Sequence, residues 1–249
     1  MSSSLVEFRR ATALALFATV LCPGLAAAQS PEERAAARDI VVRRSDAVVL
    51  VLATLRTRMN VGGRETTRDQ PVLANATVLD GSGLAVMALS VLEPGEIANR
   101  SMGAGALSTE AADLRMRLAG GQEVPARVVL RDADLDLLFV RPVQALPAPL
   151  PAVDAPAGVP ALLDLLITIQ RSGESTGWYP LAAFSYVQMT VDRPRTYHAL
   201  STAPALGAAV FDTRGRFVGV IVRIGGARTN PLPAVLPADD IREIAKQAK

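Results

Sequence analysis

The sequence predicts an all-β fold in two halves, each a small barrel or sandwich, with a short helix at either end. Three observations lead there. Short runs of Val, Leu and Ala recur along the chain, separated by Gly-containing turns. Pro142, Pro147, Pro149, Pro151, Pro156 and Pro160 crowd one stretch and read as a connector between the halves. The 249 residues suffice for two domains of roughly a hundred residues each. With 50% of them hydrophobic and 20% charged, the chain buries a core rather than remaining disordered.

Residues 1–28 read as an export signal. Arg9 and Arg10 precede the apolar run Ala11 to Leu21, and Ala26-Ala27-Ala28 supplies small residues for cleavage after Ala28. A membrane span needs about twenty apolar residues, and Pro23-Gly24 interrupts this one. Cys22 invites a lipidation reading, but bulky Leu21 stands before it. Arg9-Arg10 invites a twin-arginine reading, but its flanks fit poorly, and a Sec-type signal is simpler. The expected location is periplasmic or secreted. No later segment is apolar enough to span a membrane, and Cys22, the sole cysteine, leaves with the signal.

The elements then follow in order. Residues 29–44 form a helix and linker: Ser30 caps Pro31 to Val42, Pro31 fits the first turn, and Glu32-Glu33 suit its positive end. The first half, residues 45–145, holds buried strands at Ala47 to Leu55 and Pro71 to Leu79. The turn Asp80-Gly81-Ser82-Gly83 leads to a return strand, Leu84 to Leu89. A second hairpin joins Leu114 to Leu118 with Glu123 to Leu130 through Gly120-Gly121, and Leu137 to Val140 is a short strand. Glu93 to Ala112, rich in Gly, Ala and Ser, reads as a surface loop. Residues 146–158 are the connector. The second half, residues 159–249, has strands at Val159 to Ile169, Leu181 to Thr190, Thr196 to Leu200, Ala208 to Phe211 and Arg216 to Ile224. Asp239 or Asp240 then caps a closing helix.

Composition narrows the chemistry. A formal charge of +2 offers no basic field for nucleic acid. The single histidine and single cysteine exclude zinc-finger ligand sets, disulfide frameworks and Cys/His nucleophilic pairs within the chain. No cofactor and no metal are expected. Gly173-Glu174-Ser175-Thr176-Gly177 matches the G-x-S-x-G nucleophile elbow in pattern, with Asp192 and His198 following. That elbow needs a helix after the turn, and Trp178-Tyr179-Pro180 follows instead, so a hairpin turn is expected. His198 lies in an alternating strand and reads as structural. Asp132, Asp134 and Asp136 alternate like calcium ligands, but no glycine or glutamate completes an EF-hand loop. Asn75 and Asn99 begin glycosylation sequons in pattern alone.

Four segments together resemble trypsin-like serine proteases of the HtrA/Deg type. They are Asp80 to Val91, Ala126 to Val140, Ala203 to Asp212 with the hairpin Arg214 to Val220, and Leu236-Pro237-Ala238 leading into the last helix. The likeness runs from Ser45 to Lys249 and lies in order and spacing. It implies two antiparallel six-stranded β-barrels with a site in the cleft between them. The position of the family's aspartate falls on Asp136. The position of its general-base histidine falls on Ser90, and that of its nucleophilic serine on Leu206. One of the two oxyanion N–H donors falls on Pro204, which has no N–H.

The resemblance therefore implies a pseudoprotease with no catalytic residues. The family docks extended substrates along the strand after the nucleophile loop, which here makes Val220, Val222, Arg223 and Gly225 candidates for binding a peptide or protein ligand in the envelope. Two other readings stay open: an unconventional hydrolase using Ser90, Ser175 or Ser201, and a purely architectural subunit. No PDZ-like segment is expected after Lys249.

Overall fold

The computed structural model describes residues 29–61, 64–94, 107–225 and 232–248. The signal peptide expected over residues 1–28 lies outside them, as do residues 95–106 of the expected loop. Twelve strands close into two six-stranded antiparallel barrels. The first comprises β1 (Val48–Val61), β2 (Arg64–Val78), β3 (Ala85–Ala88), β4 (Leu107–Arg117), β5 (Glu123–Asp132) and β6 (Leu137–Pro142), in the order β1-β2-β3-β6-β5-β4. The second comprises β7 (Leu165–Arg171), β8 (Pro180–Val191), β9 (Tyr197–Leu200), β10 (Ala209–Asp212), β11 (Phe217–Ile224) and β12 (Leu232–Pro237), in the order β10-β11-β12-β9-β8-β7. Among the described residues three α-helices accompany them: α1 (Pro31–Arg44), a single turn α2 (Leu89–Leu92) and α3 (Ala238–Ala245).

Local chemistry sets the ends of these elements. Ser30 and Glu33 form a reciprocal cap on α1: the Glu33 N–H donates to Ser30 Oγ at 3.0 Å, and the Ser30 N–H donates to the Glu33 carboxylate at 2.6 Å. Arg43 and Arg44 occupy the negative end of the helix. In the turn before β3, Asp80 Oδ1 accepts from the Ser82 N–H, the Ser82 hydroxyl and the Leu84 N–H. Gly83 there has φ +90°.

Several boundaries differ from expectation, each for a physical reason. β1 and β2 continue past the buried stretch as an exposed ribbon, pairing Arg56 with Asp69 and Arg58 with Thr67. β4 begins at Leu107, inside the stretch expected to be loop, because it extends that ribbon along β1. Leu89 opens α2 instead of ending β3. Val159 to Asp164 is not strand: Val159 is 79% exposed, Leu163 is 71% exposed, and Leu163 has φ +69°. The closing helix starts at Ala238 after Pro237, and Asp239 and Asp240 fill its first turn rather than its cap.

The core has three parts. One cluster fills the first barrel around Val51, Met87 and Leu138, and another fills the second around Leu166, Val210 and Val235. The third joins the barrels and seats α1 and α3, through Ile40, Val86, Phe139, Phe211, Phe217 and Ile241. Each fully buried side chain of this size contributes about 1.5–3 kcal/mol, so the two barrels are held as one body. Polar contacts reinforce the junction. Arg171 of β7 donates from Nε to the Val48 carbonyl and from Nη2 to the Ser45 carbonyl, both at 2.7 Å. Its backbone N–H donates to Asn75 Oδ1 at 2.6 Å.

Candidate functional site

β3 pairs with β6 from Ala85↔Val140 to Ala88↔Leu137 and then winds into α2, which sets Ser90 beside the start of β6. The turn into β6 is built by Asp132, whose Oδ1 accepts from the N–H groups of Asp134 and Leu135 at 3.1 and 3.0 Å. Asp136 closes that turn at φ +57°, a left-handed conformation that a short polar side chain tolerates.

Three donors converge on the Asp136 carboxylate. The Ser90 N–H reaches Oδ1 at 2.6 Å, while the Ser90 hydroxyl and the Arg223 N–H reach Oδ2 at 3.0 and 2.7 Å. Ser90 and Asp136 belong to the first barrel and Arg223 to β11 of the second, so this buried carboxylate is shared across the junction. Burial pushes its pKa above the ordinary value, and the three donors and the Arg223 charge oppose that without cancelling it.

The loop carrying Pro204 and Leu206 rests on the other side of the junction. Gly207 has φ +81°, and a Cβ there would lie 2.0 Å from the Asn75 carbonyl oxygen, so only glycine lets the loop meet β2. The Thr77 hydroxyl donates to the Gly207 carbonyl at 3.2 Å, and the Gly207 N–H donates to the Ile221 carbonyl at 2.7 Å. The Ala205 N–H is taken by Gln170 Oε1 at 2.8 Å. Leu206 is half-buried and packs on the apolar cluster inside the second barrel. Pro204 is half-buried and presents no N–H.

Along β11 the backbone alternates between two edges. Val220 and Val222 pair with Leu236 and Ala234 of β12, and their side chains are fully buried. The Ile221 N–H reaches the Ala208 carbonyl and the Arg223 N–H reaches Asp136, so residues 221 and 223 face the opposite edge, which meets the loop before β10 at Ile221 and the first barrel at Arg223. Gly225 follows the end of the strand with φ +108°. Of the four positions expected to contact a peptide, Arg223 is half-buried, Gly225 is exposed, and Val220 and Val222 have buried side chains.

The remaining candidates scatter. His198 is buried on β9, with Nδ1 3.1 Å from the Thr190 hydroxyl. Burial lowers its pKa, partly offset by Asp192. It is the chain's only histidine. Ser175 sits in an exposed turn between β7 and β8, so strand returns to strand where an elbow needs a helix. Ser201 accepts the Tyr186 N–H at 2.9 Å. Asn75 is buried with its amide oxygen committed to Arg171; Asn99 lies outside the described residues. Among the described residues no three His, Cys, Asp or Glu side chains gather to hold a metal, and no helix is long and apolar enough to cross a membrane. Gln170, Thr77 and Arg171 escaped the sequence reading because each acts on a partner far along the chain, with no local signature.

The sequence matches no family model and no curated protein. Two solved structures of an HtrA-type protease, AlgW with a serine-to-alanine substitution, are similar in fold. One, with a tripeptide, superposes with TM-score 0.55 at 15% identity, over 84% of this chain and 62% of that chain. The other, with a decapeptide, gives TM-score 0.59 at 15% identity, over 84% of this chain and 65% of that one. This chain therefore spans less than two thirds of the length of either. The two barrels adopt the trypsin-like fold.

Proposed function

We propose that this protein is a catalytically silent trypsin-like domain that binds an extended peptide or protein segment in the cleft between its barrels. The observation that carries the reading is the Asp136 cluster. Both carboxylate oxygens are occupied by Ser90 and the Arg223 N–H, in a cradle that would otherwise orient an imidazole. A serine hydroxyl is too weak a base to take a proton at neutral pH, and Leu206 has no attacking atom. In a serine protease, loss of the base or the nucleophile alone costs about six powers of ten in turnover. Pro204 removes one oxyanion donor besides, worth roughly 2.7–4 kcal/mol of transition-state stabilisation.

Backbone recognition does not depend on those groups. With the Arg223 N–H held by Asp136, an extended ligand would pair with the Arg223 carbonyl and with Gly225; the two AlgW structures hold a tripeptide and a decapeptide. With residues 1–28 acting as a Sec-type signal, the ligand is met in the periplasm or outside the cell.

Two measurements test this. A fluorophosphonate probe should leave the native protein unlabelled and should label the variant Ser90→His/Pro204→Gly/Leu206→Ser. Labelling of the native protein overturns the silent reading, and a folded but inert variant counts against the assignment of the three positions. Amide shifts in an NMR titration with an unstructured decapeptide pool should centre on Arg223, Gly225 and Ser90. Shifts confined elsewhere overturn the cleft as the binding site.

A further inference from the structure

A second surface, away from this cleft, carries features of a strand-docking site. β8 pairs with β7 along its whole first half, from Pro180↔Arg171 to Tyr186↔Leu165, but β9 joins its other edge only from Val187 onward. The direction of that edge follows from the register. Tyr186 exchanges bonds with Ser201, its N–H to Oγ and its carbonyl from the Ser201 N–H, so Tyr186 faces the β9 side. By the two-residue period of a strand, Phe184 and Ala182 face the same side. Among the described residues, no backbone group pairs with either of them across that edge. Exposed edges of this kind are templates for an added strand.

The open edge adjoins an apolar groove of about 580 Å³, within the range of about 300–1,000 Å³ typical of binding sites. Ile167, Ala182 and Phe184 form its floor, and Ala37 and Val41 of α1 form its wall. Val42 at its rim is 79% exposed, apolar surface that the groove leaves open to solvent. Arg34 and Arg38 stand one turn apart on α1 at the same rim. Among the described residues neither has a carboxylate partner: Asp39 pairs with Arg43, and the Glu33 carboxylate caps Ser30. Like charges at this spacing slightly destabilise a helix on their own, and carboxylates from outside would relieve them.

We propose that this groove docks an extended segment of a partner protein in which apolar and acidic residues occupy every second position in turn, so that both kinds share the face turned toward the groove. The segment adds as a strand beside Ala182 and Phe184. Its apolar side chains fill the groove, and its carboxylates pair with Arg34 and Arg38. The unpaired edge of β8 favours a polypeptide over a lipid chain, because only a polypeptide supplies N–H and C=O groups to match it.

The test uses fluorescein-labelled nonapeptides with Ser at the even positions and, at the odd positions, Val in turn with Glu or with Lys, read by fluorescence anisotropy at low and high salt. The Glu peptide should bind at least tenfold more tightly than the Lys peptide and weaken as salt rises. Arg34→Glu/Arg38→Glu should cost it at least tenfold, while Arg58→Glu, on the distant β1 ribbon, leaves it unchanged. Ala182→Pro, which deletes an edge-facing N–H and leaves the β7 pairing intact, should also cost at least tenfold; circular dichroism checks its fold, and the charge reversal stands if it misfolds. Equal binding of both peptides, or indifference to the charge reversal, overturns the proposal. So does concentration-dependent dimerisation abolished by Ala182→Pro, which assigns the edge to a second copy of the chain. Binding to anionic vesicles abolished by the charge reversal, with no peptide binding, assigns the groove to lipid and equally overturns it.

Discussion

Asp136→Ala is expected to destabilise the protein by about 3–5 kcal/mol. The substitution strands two buried backbone donors, the Ser90 and Arg223 N–H groups, and each unpaired donor costs about 1–3 kcal/mol. The Ser90 hydroxyl loses its acceptor too, but it can turn and so adds less. Alanine is also less tolerant of the left-handed backbone at this position, for about 1 kcal/mol more. Removing a carboxylate that burial disfavours offsets part of this sum. Asp136→Asn keeps the shape and one acceptor but turns an amide N–H toward a donor, so its cost should fall near 1–3 kcal/mol, below that of alanine.

Urea denaturation followed by Trp178 fluorescence and by circular dichroism measures both variants. The sign of the pH dependence is fixed as well. The folded carboxyl titrates above its ordinary 3.8, so the folded state holds the proton more tightly. That contribution is complete below the unfolded value and is lost as pH rises through the folded one. The stability of the native chain relative to Asp136→Asn should therefore fall as pH rises from 3.8 upward. An alanine cost below about 1 kcal/mol, or an asparagine variant as damaged as alanine, would show that the cluster is not satisfied as described.

Two further substitutions probe the junction. Gly207→Ala forces a Cβ to within 2.0 Å of the Asn75 carbonyl at φ +81°, and should cost more than about 4 kcal/mol; a melting temperature within a few degrees of native contradicts the packing. Arg171→Met removes two charged hydrogen bonds to the Ser45 and Val48 carbonyls from a side chain only 8% exposed. It should cost about 2–4 kcal/mol, with Arg171→Lys recovering less than half because an ammonium cannot fork to both oxygens. Full rescue by lysine in denaturation experiments would refute the bidentate role.

Much of the fold was legible because turn chemistry is local. The sequence Asp80 to Gly83 names its own hairpin, and Ser30 with Glu33 names the start of α1. β12 is absent from the expected strands, and its short sequence carries Pro233 and Pro237, residues uncommon within a sheet. The structure accommodates Pro233 opposite Arg223, whose N–H points away to Asp136, so no ladder donor is lost there. The β1–β2 ribbon was missed because its charged residues carry no buried face. At the site, Ser90 and Asp136 could be placed only through the resemblance to HtrA/Deg-type proteases, and they lie in contact. The contacts of Arg171 and Gln170 could not, since Arg171 meets its partners 96 to 126 positions away. Burial of Val220 and Val222 fits the near-continuous apolar run Phe217 to Val222, in which both faces of the strand are covered.

The sharing of Asp136 between the barrels makes the two halves of the site unequal as starting points for redesign. On one side, a newly introduced imidazole at position 90 would inherit an acceptor already tethered by the Arg223 amide, so acquiring a base asks little of the scaffold. On the other, a hydroxyl at position 206 would have to give up the apolar footing that leucine now enjoys, and a donor at 204 would have to replace a ring. Any route toward hydrolysis would therefore stall at the attacking group, long after the proton relay had been reassembled.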